Sequence, residues 1–171
     1  MVLSIRRYGD PVLETPCQPV ENFGTVELDE LIANMFETMY ANKGVGLAAP
    51  QVGVSQRVTV IDISVGEDES QKLVLINPEL IHTEGSQVGE EGCLSIPGFR
   101  EDVKRAMTAT VRAKNAKGET IEVTGEELLA RALQHEIDHL NGILFLSHLS
   151  MLKRDLIRRK IRKLIKAGEW N

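Results

Sequence analysis

Three helices and a set of short antiparallel strands, folded as one unit, make up the architecture that this sequence predicts. Three observations carry it. Apolar residues recur at helical spacing in three separate stretches, around residues 28–39, 129–140 and 152–165. Between the first two stretches lie short runs rich in β-branched residues. The spacers between those runs are mostly too short for helical crossovers, which favours antiparallel over parallel pairing. The 171 residues contain no internal repeat, low-complexity tract or linker, and the length suits a single domain spanning 1–171.

Composition narrows the function classes. Apolar content of 42% and charged content of 26% are those of an ordinary globular protein. No apolar run approaches the length needed to span a bilayer, so no membrane role is expected. The first residues, Met1 to Arg7, carry no apolar signal-peptide core after their charges. Cys17 and Cys93 are too few for a disulfide framework, and the expected compartment is a reducing cytoplasm. A net charge of −5 argues against general nucleic-acid binding, and no sequence-specific nucleic-acid contact is expected. That charge is unevenly spread. Residues 150–171 hold eight Lys or Arg against Asp155 and Glu169, a net of +6, which leaves −11 on residues 1–149.

Taken in order, Tyr8 to Phe23 holds Pro11, Pro16 and Pro19 and reads as an extended, irregular arm. Thr25 is a plausible N-cap for a helix whose apolar stripe is Leu28, Leu31, Ile32, Met35 and Met39, with Gly44 as its stop. The segment Gly44-Val45-Gly46-Leu47-Ala48-Ala49-Pro50-Gln51-Val52-Gly53 reads on spacing alone as a tight connection between a helix and a strand. Its small residues also leave room for close approach by another backbone or a ligand. It is not a phosphate loop, because the Gly-Lys-Ser/Thr ending is missing. Strands are predicted at Val58 to Ile63, Leu73 to Asn77 and Thr108 to Arg112. Asn115-Ala116-Lys117-Gly118 is the turn of a hairpin returning through Thr120 to Val123.

A central helix follows, with Thr124 and Glu127 as its expected capping box and Asn141-Gly142 as its end. One apolar stripe is Leu129, Leu133, Ile137 and Leu140; a neighbouring one is Leu128, Ala132, His135 and His139. A helix apolar over most of its circumference is buried, and the second stripe places Leu128 and Ala132 on the approach to the two histidines. The last helix, Ser150 to Ala167, is expected to pack through Leu152, Leu156, Ile161, Leu164 and Ile165.

The chemistry concentrates in His135-Glu136-Ile137-Asp138-His139. Residues four apart on a helix share a face, so both imidazoles can hold one metal ion while Glu136 reaches its open side. The plain alternative is a buried helix with two hydrogen-bonded histidines. A catalytic site of zinc type takes three protein ligands and leaves the fourth position for water. Candidates for the third are Cys93, Cys17, His82, His148 and many carboxylates. His148, nine residues past His139, reads as a surface or packing residue, and His82 as a surface residue of a strand. Cys93 is favoured by its setting between Gly92 and Leu94, which permits close backbone approach.

At this point the sequence resembles the peptide deformylases. Three motifs carry the resemblance, in order: Gly44-Val45-Gly46-Leu47-Ala48-Ala49-Pro50-Gln51, then Glu91-Gly92-Cys93-Leu94-Ser95, then Gln134-His135-Glu136-Ile137-Asp138-His139. The likeness runs from about Arg7 to the C-terminal helix. It implies an α+β fold with antiparallel β-sheets packed around a central metal-binding helix, flanked by an N-terminal helix and a C-terminal helix. It implies Cys93, His135 and His139 as ligands of one divalent ion, normally Fe(II), with zinc or nickel able to replace it. Glu136 takes the general acid/base role, and Gln51 with the Leu94 backbone N–H the role of oxyanion donors. Val45 and Gly46 carry over as substrate contacts. The implied reaction is hydrolysis of the formyl group from N-formylmethionyl nascent chains. Arg131 is a large charged residue so near that pocket. Two other readings remain open on the residues: a small metallopeptidase, and a closed structural zinc site completed by Cys17 or His148. The basic C-terminal segment adds an expected contact with the ribosome.

Overall fold

The computed structural model describes residues 1–170; Asn171, the last residue of the basic C-terminal segment, lies outside the described residues. Helix α1 (Val26–Ala41) precedes strands β1 (Gly46–Ala48), β2 (Val58–Ile61), β3 (Leu73–Glu84), β4 (Gln87–Cys93), β5 (Ile96–Arg105), β6 (Thr108–Lys114) and β7 (Thr120–Glu126). Helices α2 (Glu127–Leu140) and α3 (Met151–Lys166) complete the chain. The fold is α+β. Five strands form one sheet in the order β1-β2-β3-β6-β7, and β4 and β5 form a separate hairpin. All pairings between these strands are antiparallel, as the short spacers require.

The sheet lies between two helices, and strand alternation explains how. Val58 and Val60 of β2 face α1, joining Leu28, Ile32, Met35 and Met39. Ile61 of β2 faces the other way with Leu75, Ala109 and Val111, against Ala130, Leu133 and Ile137 of α2. A third cluster joins Ile96 and Val103 of β5 to Leu144, Phe145 and Leu149, and to Ile157 and Ile161 of α3. Helix α2 is packed on its other side too, with His135 against Phe145 and Leu140 against Cys17 and Ala48, which leaves little of its circumference free. Truncating a core residue such as Leu133 to Ala would cost about 2–5 kcal/mol.

Several local expectations are revised. Thr25 does cap α1, accepting the Leu28 N–H at 3.1 Å. The helix ends at Ala41, however, before Gly44, with Lys43 in the left-handed region at φ 57°. The capping box does not form. Thr124 lies inside β7, its hydroxyl 2.9 Å from that of Thr110, and β7 runs directly into α2 with no side-chain cap. The far end is as expected: Gly142, at φ 77°, lets Ile143 N–H return to the Asp138 carbonyl at 2.8 Å. In α3 the packed line is Ile157 and Ile161, whereas Leu152, Leu156 and Ile165 are exposed. The helix touches its neighbours along one narrow i, i+4 line, so most of the expected stripe faces outward. Among the described residues, no helix is long and apolar enough to cross a membrane.

Candidate active site

Helix α2 brings His135 and His139 onto one face, and the end of β4 brings Cys93 to them. His139 Nε2 lies 3.1 Å from His135 Nε2 and 3.4 Å from Cys93 Sγ. The three donor atoms all fall within 4.8 Å of one another. The edges of a tetrahedral site with ordinary metal–nitrogen and metal–sulfur lengths are roughly 3.3–3.6 Å, so the spacing fits one ion. The charge arrangement fits as well. Burial alone would lower the His135 pKa. Hydrogen bonds with Cys93 and Glu91 and the charge of Glu136 overcome it and push the value up to about 10. Burial and the neighbouring His135 charge hold His139 well below the usual imidazole range, leaving that ring neutral and able to ligate. Among the described residues, Cys17 is no part of this group. It is packed with Ala48 and Leu140, and burial pushes its thiol up.

A network of charges orients the donors from behind. His135 Nδ1 sits 2.7 Å from Glu91 Oε1, which directs the ring's other nitrogen toward Cys93 and His139. Glu91 also accepts from Arg105 at 2.8 and 2.9 Å and from Arg131 at 2.6 Å. Burial would raise the Glu91 carboxyl, but the bonds from Arg105 and His135 hold it far below the usual carboxylate range. Arg105 continues to Asp138 at 2.7 Å, and Asp138 to His148 at 2.8 Å. His148, expected as a surface or packing residue, thus ends a chain of contacts that begins at His135. Arg131 turns its charge into Glu91 and the Val103 carbonyl, which explains how a large cation is accommodated beside the pocket.

On the opposite side lies Glu136, buried, with Oε1 4.0 Å from His135 Nε2. Thr59 of β2 donates to its Oε2 at 3.3 Å. Burial pushes the Glu136 carboxyl up to about 7, against the His135 charge and the Thr59 hydrogen bond. A cation among the three donors would draw it down again. The glycine-rich segment finds its reason here. A Cβ on Gly46 would lie 2.8 Å from Glu136 Oε1, and one on Gly44 2.9 Å from Leu94 Cδ1. Gln51 is oriented by the Ala48 N–H, which donates to its Oε1 at 3.0 Å. Its Nε2 then points to Ser95 Oγ at 3.2 Å and Cys93 Sγ at 3.5 Å.

One cleft of about 720 Å³ collects these groups; Val45, Gly46, Gln51, Cys93, Leu94, Leu128, Ala132, His135 and Glu136 all line it. Sequence reasoning missed Glu91, Arg105, Asp138 and Thr59. Two of them carried a signal. Glu91 precedes Cys93 by two, the spacing of one strand face, and Thr59 is the single polar residue of the fully buried run Val58–Ile61. Arg105 and Asp138 required the β4–β5 register and the docking of α2 to be known.

Comparisons with known proteins point to one family. A family model described as polypeptide deformylase matches residues 2–155. A peptide deformylase of Acidobacterium capsulatum is 58% identical over 99% of both chains. That of Alkalilimnicola ehrlichii is 49% identical, covering 99% of this chain and 94% of its own. Among solved structures, a peptide deformylase from Legionella pneumophila superposes with TM-score 0.92 at 46% identity, covering 100% of this chain and 99% of that one. The Thermus thermophilus enzyme superposes with TM-score 0.87 at 41% identity, covering 98% of each. With the family model spanning most of the chain, and a cluster of Cys93, His135 and His139 beside a buried glutamate, this chain belongs to the peptide deformylase family.

Proposed function

We propose that the chain removes the formyl group from N-formylmethionyl polypeptides and releases formate, with Cys93, His135 and His139 holding one divalent ion. The observation that carries the reading is the place of Glu136, whose carboxyl lies beside the three donors and, unlike that of Glu91, is paired with no Arg or Lys among the described residues. An ion held by these three donors would supply Lewis acidity and make water a nucleophile near neutral pH. Glu136 takes a proton from the attacking water and returns it to the amine nitrogen that leaves, since that nitrogen does not depart as an anion near neutral pH. Gln51 Nε2 and the Leu94 N–H donate to the charge that develops on the formyl oxygen. Val45, just before the edge strand β1, and Gly46, its first residue, offer backbone groups with which an extended peptide can pair. Leu128 and Ala132 provide an apolar surface for the methionine side chain. Fe(II) is the ion this reading assigns; zinc or nickel suits the same donors. Glu136→Gln is expected to keep its metal and lose about 10²–10⁴-fold in kcat. Metal analysis and formate release on one sample check this. A metal-replete variant turning over at the wild-type rate would overturn the role.

A substrate made during translation implies a cytoplasmic enzyme working near the ribosome, and the surface of α3 supports contact there. Arg159, Lys160, Arg162, Lys163 and Lys166 are exposed, while Arg158 is engaged with the Tyr8 hydroxyl at 3.0 Å. Reversing Arg159, Arg162 and Lys163 to Glu should weaken co-sedimentation with ribosomes, and raised salt should weaken it in the parent. Co-sedimentation unchanged by the reversal would sink the idea.

A further inference from the structure

One wall of the cleft carries charge that the reaction does not use. Leu94 stands at its centre. Arg7 Nη1 donates to the Leu94 carbonyl at 3.1 Å, and the Arg7 Nε is buried without a hydrogen-bond partner. From the other side the Lys43–Gly44 turn presses on the Leu94 side chain, close enough that Gly44 has no room for a Cβ. Both cations line the cleft, and among the described residues neither forms an ion pair with a carboxylate. The other two cations of the lining are balanced: Arg100 pairs with Glu90 at 2.6 Å, and Arg131 with Glu91 at 2.6 Å. In a chain of net charge −5, two uncompensated cations flanking one residue of the cleft form a local exception.

Chain direction says what would meet them. A peptide paired along β1 and its approach, starting beside Gly46 and Glu136, passes Val45 and Gly44 and comes level with Lys43. At about 3.3 Å per residue that span is two or three substrate residues. We propose that Lys43, with Arg7 beside it, is a specificity-determining residue that favours an acidic side chain at the second or third position of the formylated peptide. The inference rests on the deformylase reading of the cleft.

The test uses formyl-Met-Ala-Xaa-amide and formyl-Met-Xaa-Ala-amide peptides with Xaa Asp, Asn or Lys. The amide removes the terminal carboxylate that would mask the effect. Formate release from the Asn peptides reports on the reaction itself, so a failure of that reading is seen separately. The preference is also read, without turnover, from NMR titration with the deformylated products. For at least one position, the Asp peptide should exceed the Lys peptide by about threefold to tenfold in kcat/KM and in affinity at low salt, the range expected of exposed charge pairs. The ratio should shrink in 0.5 M salt, approach one in Lys43→Gln and invert in Lys43→Glu, with Arg7 left intact because it also holds Leu94. Equal rates and affinities for Asp and Lys peptides at low salt, or a ratio unchanged by both Lys43 variants, would overturn the proposal.

Discussion

The two walls that meet at Cys93, His135 and His139 fix their groups by opposite means. On the β4–β5 side the means is charge: Glu91 grips His135, Arg105 and Arg131 grip Glu91, and Asp138 and His148 extend the contact to the surface. On the β1 side the means is the absence of a side chain: Gly46 leaves the space in which the Glu136 carboxyl lies. A set of buried paired charges tolerates the loss of no single partner, because the remainder is left uncompensated. A backbone contact tolerates no added atom. The donors are therefore expected to be sensitive to deletion, and Glu136 to addition.

The largest effect should come from the point both walls share. Cys93→Ser is expected to lose its metal and nearly all activity, whereas Cys17→Ser keeps both, since Cys17 packs apart with Ala48 and Leu140. Metal content following Cys17 instead would break the assignment. On the β1 side, Gly46→Ala should keep the metal and lose about 10²-fold in kcat, the cost of moving a catalytic group by about an ångström. A kcat near the parent value would show that the glycine is not what places Glu136. On the β4–β5 side, Glu91→Gln can still accept the His135 Nδ1–H but no longer balances Arg105 and Arg131. Metal affinity should fall by about 10–100-fold, with turnover recovering when metal is saturating. Competitive chelator titration checks it, and an unchanged affinity would mean the charge network does not tune the donors.

The same contrast separates what was legible in the sequence from what was not. The i, i+4 histidines with their adjacent glutamate declared the chemistry, because helical spacing is a local property. Cys93 stood out through its glycine-flanked setting. Strand β1 was missed because Gly46-Leu47-Ala48 has no β-branched residue, and its pairing with β2 is a tertiary fact. Strands β4 and β5 were missed for a similar reason. Gln87-Val88-Gly89-Glu90-Glu91-Gly92-Cys93 is rich in charge and glycine, since its side chains serve the site as much as the core. The Thr124–Glu127 box matched a cap by pattern, yet β7 continues through Thr124 by pairing with β6, and long-range pairing overrode the local signal. The outward leucines of α3 were assigned to a packing stripe because periodicity alone does not say which face a neighbour will cover.

The proposed hydrolysis of a formamide needs both a metal at Cys93, His135 and His139 and proton transfer by Glu136. The most direct measurement is anaerobic purification of the full chain, followed by metal analysis and formate release from a formyl-Met peptide on the same sample. About one equivalent of iron per chain is expected, with activity that falls on chelation in proportion to metal removed and recovers when Fe(II) is returned. Metal-free protein releasing formate at the rate of the loaded protein would contradict the proposal.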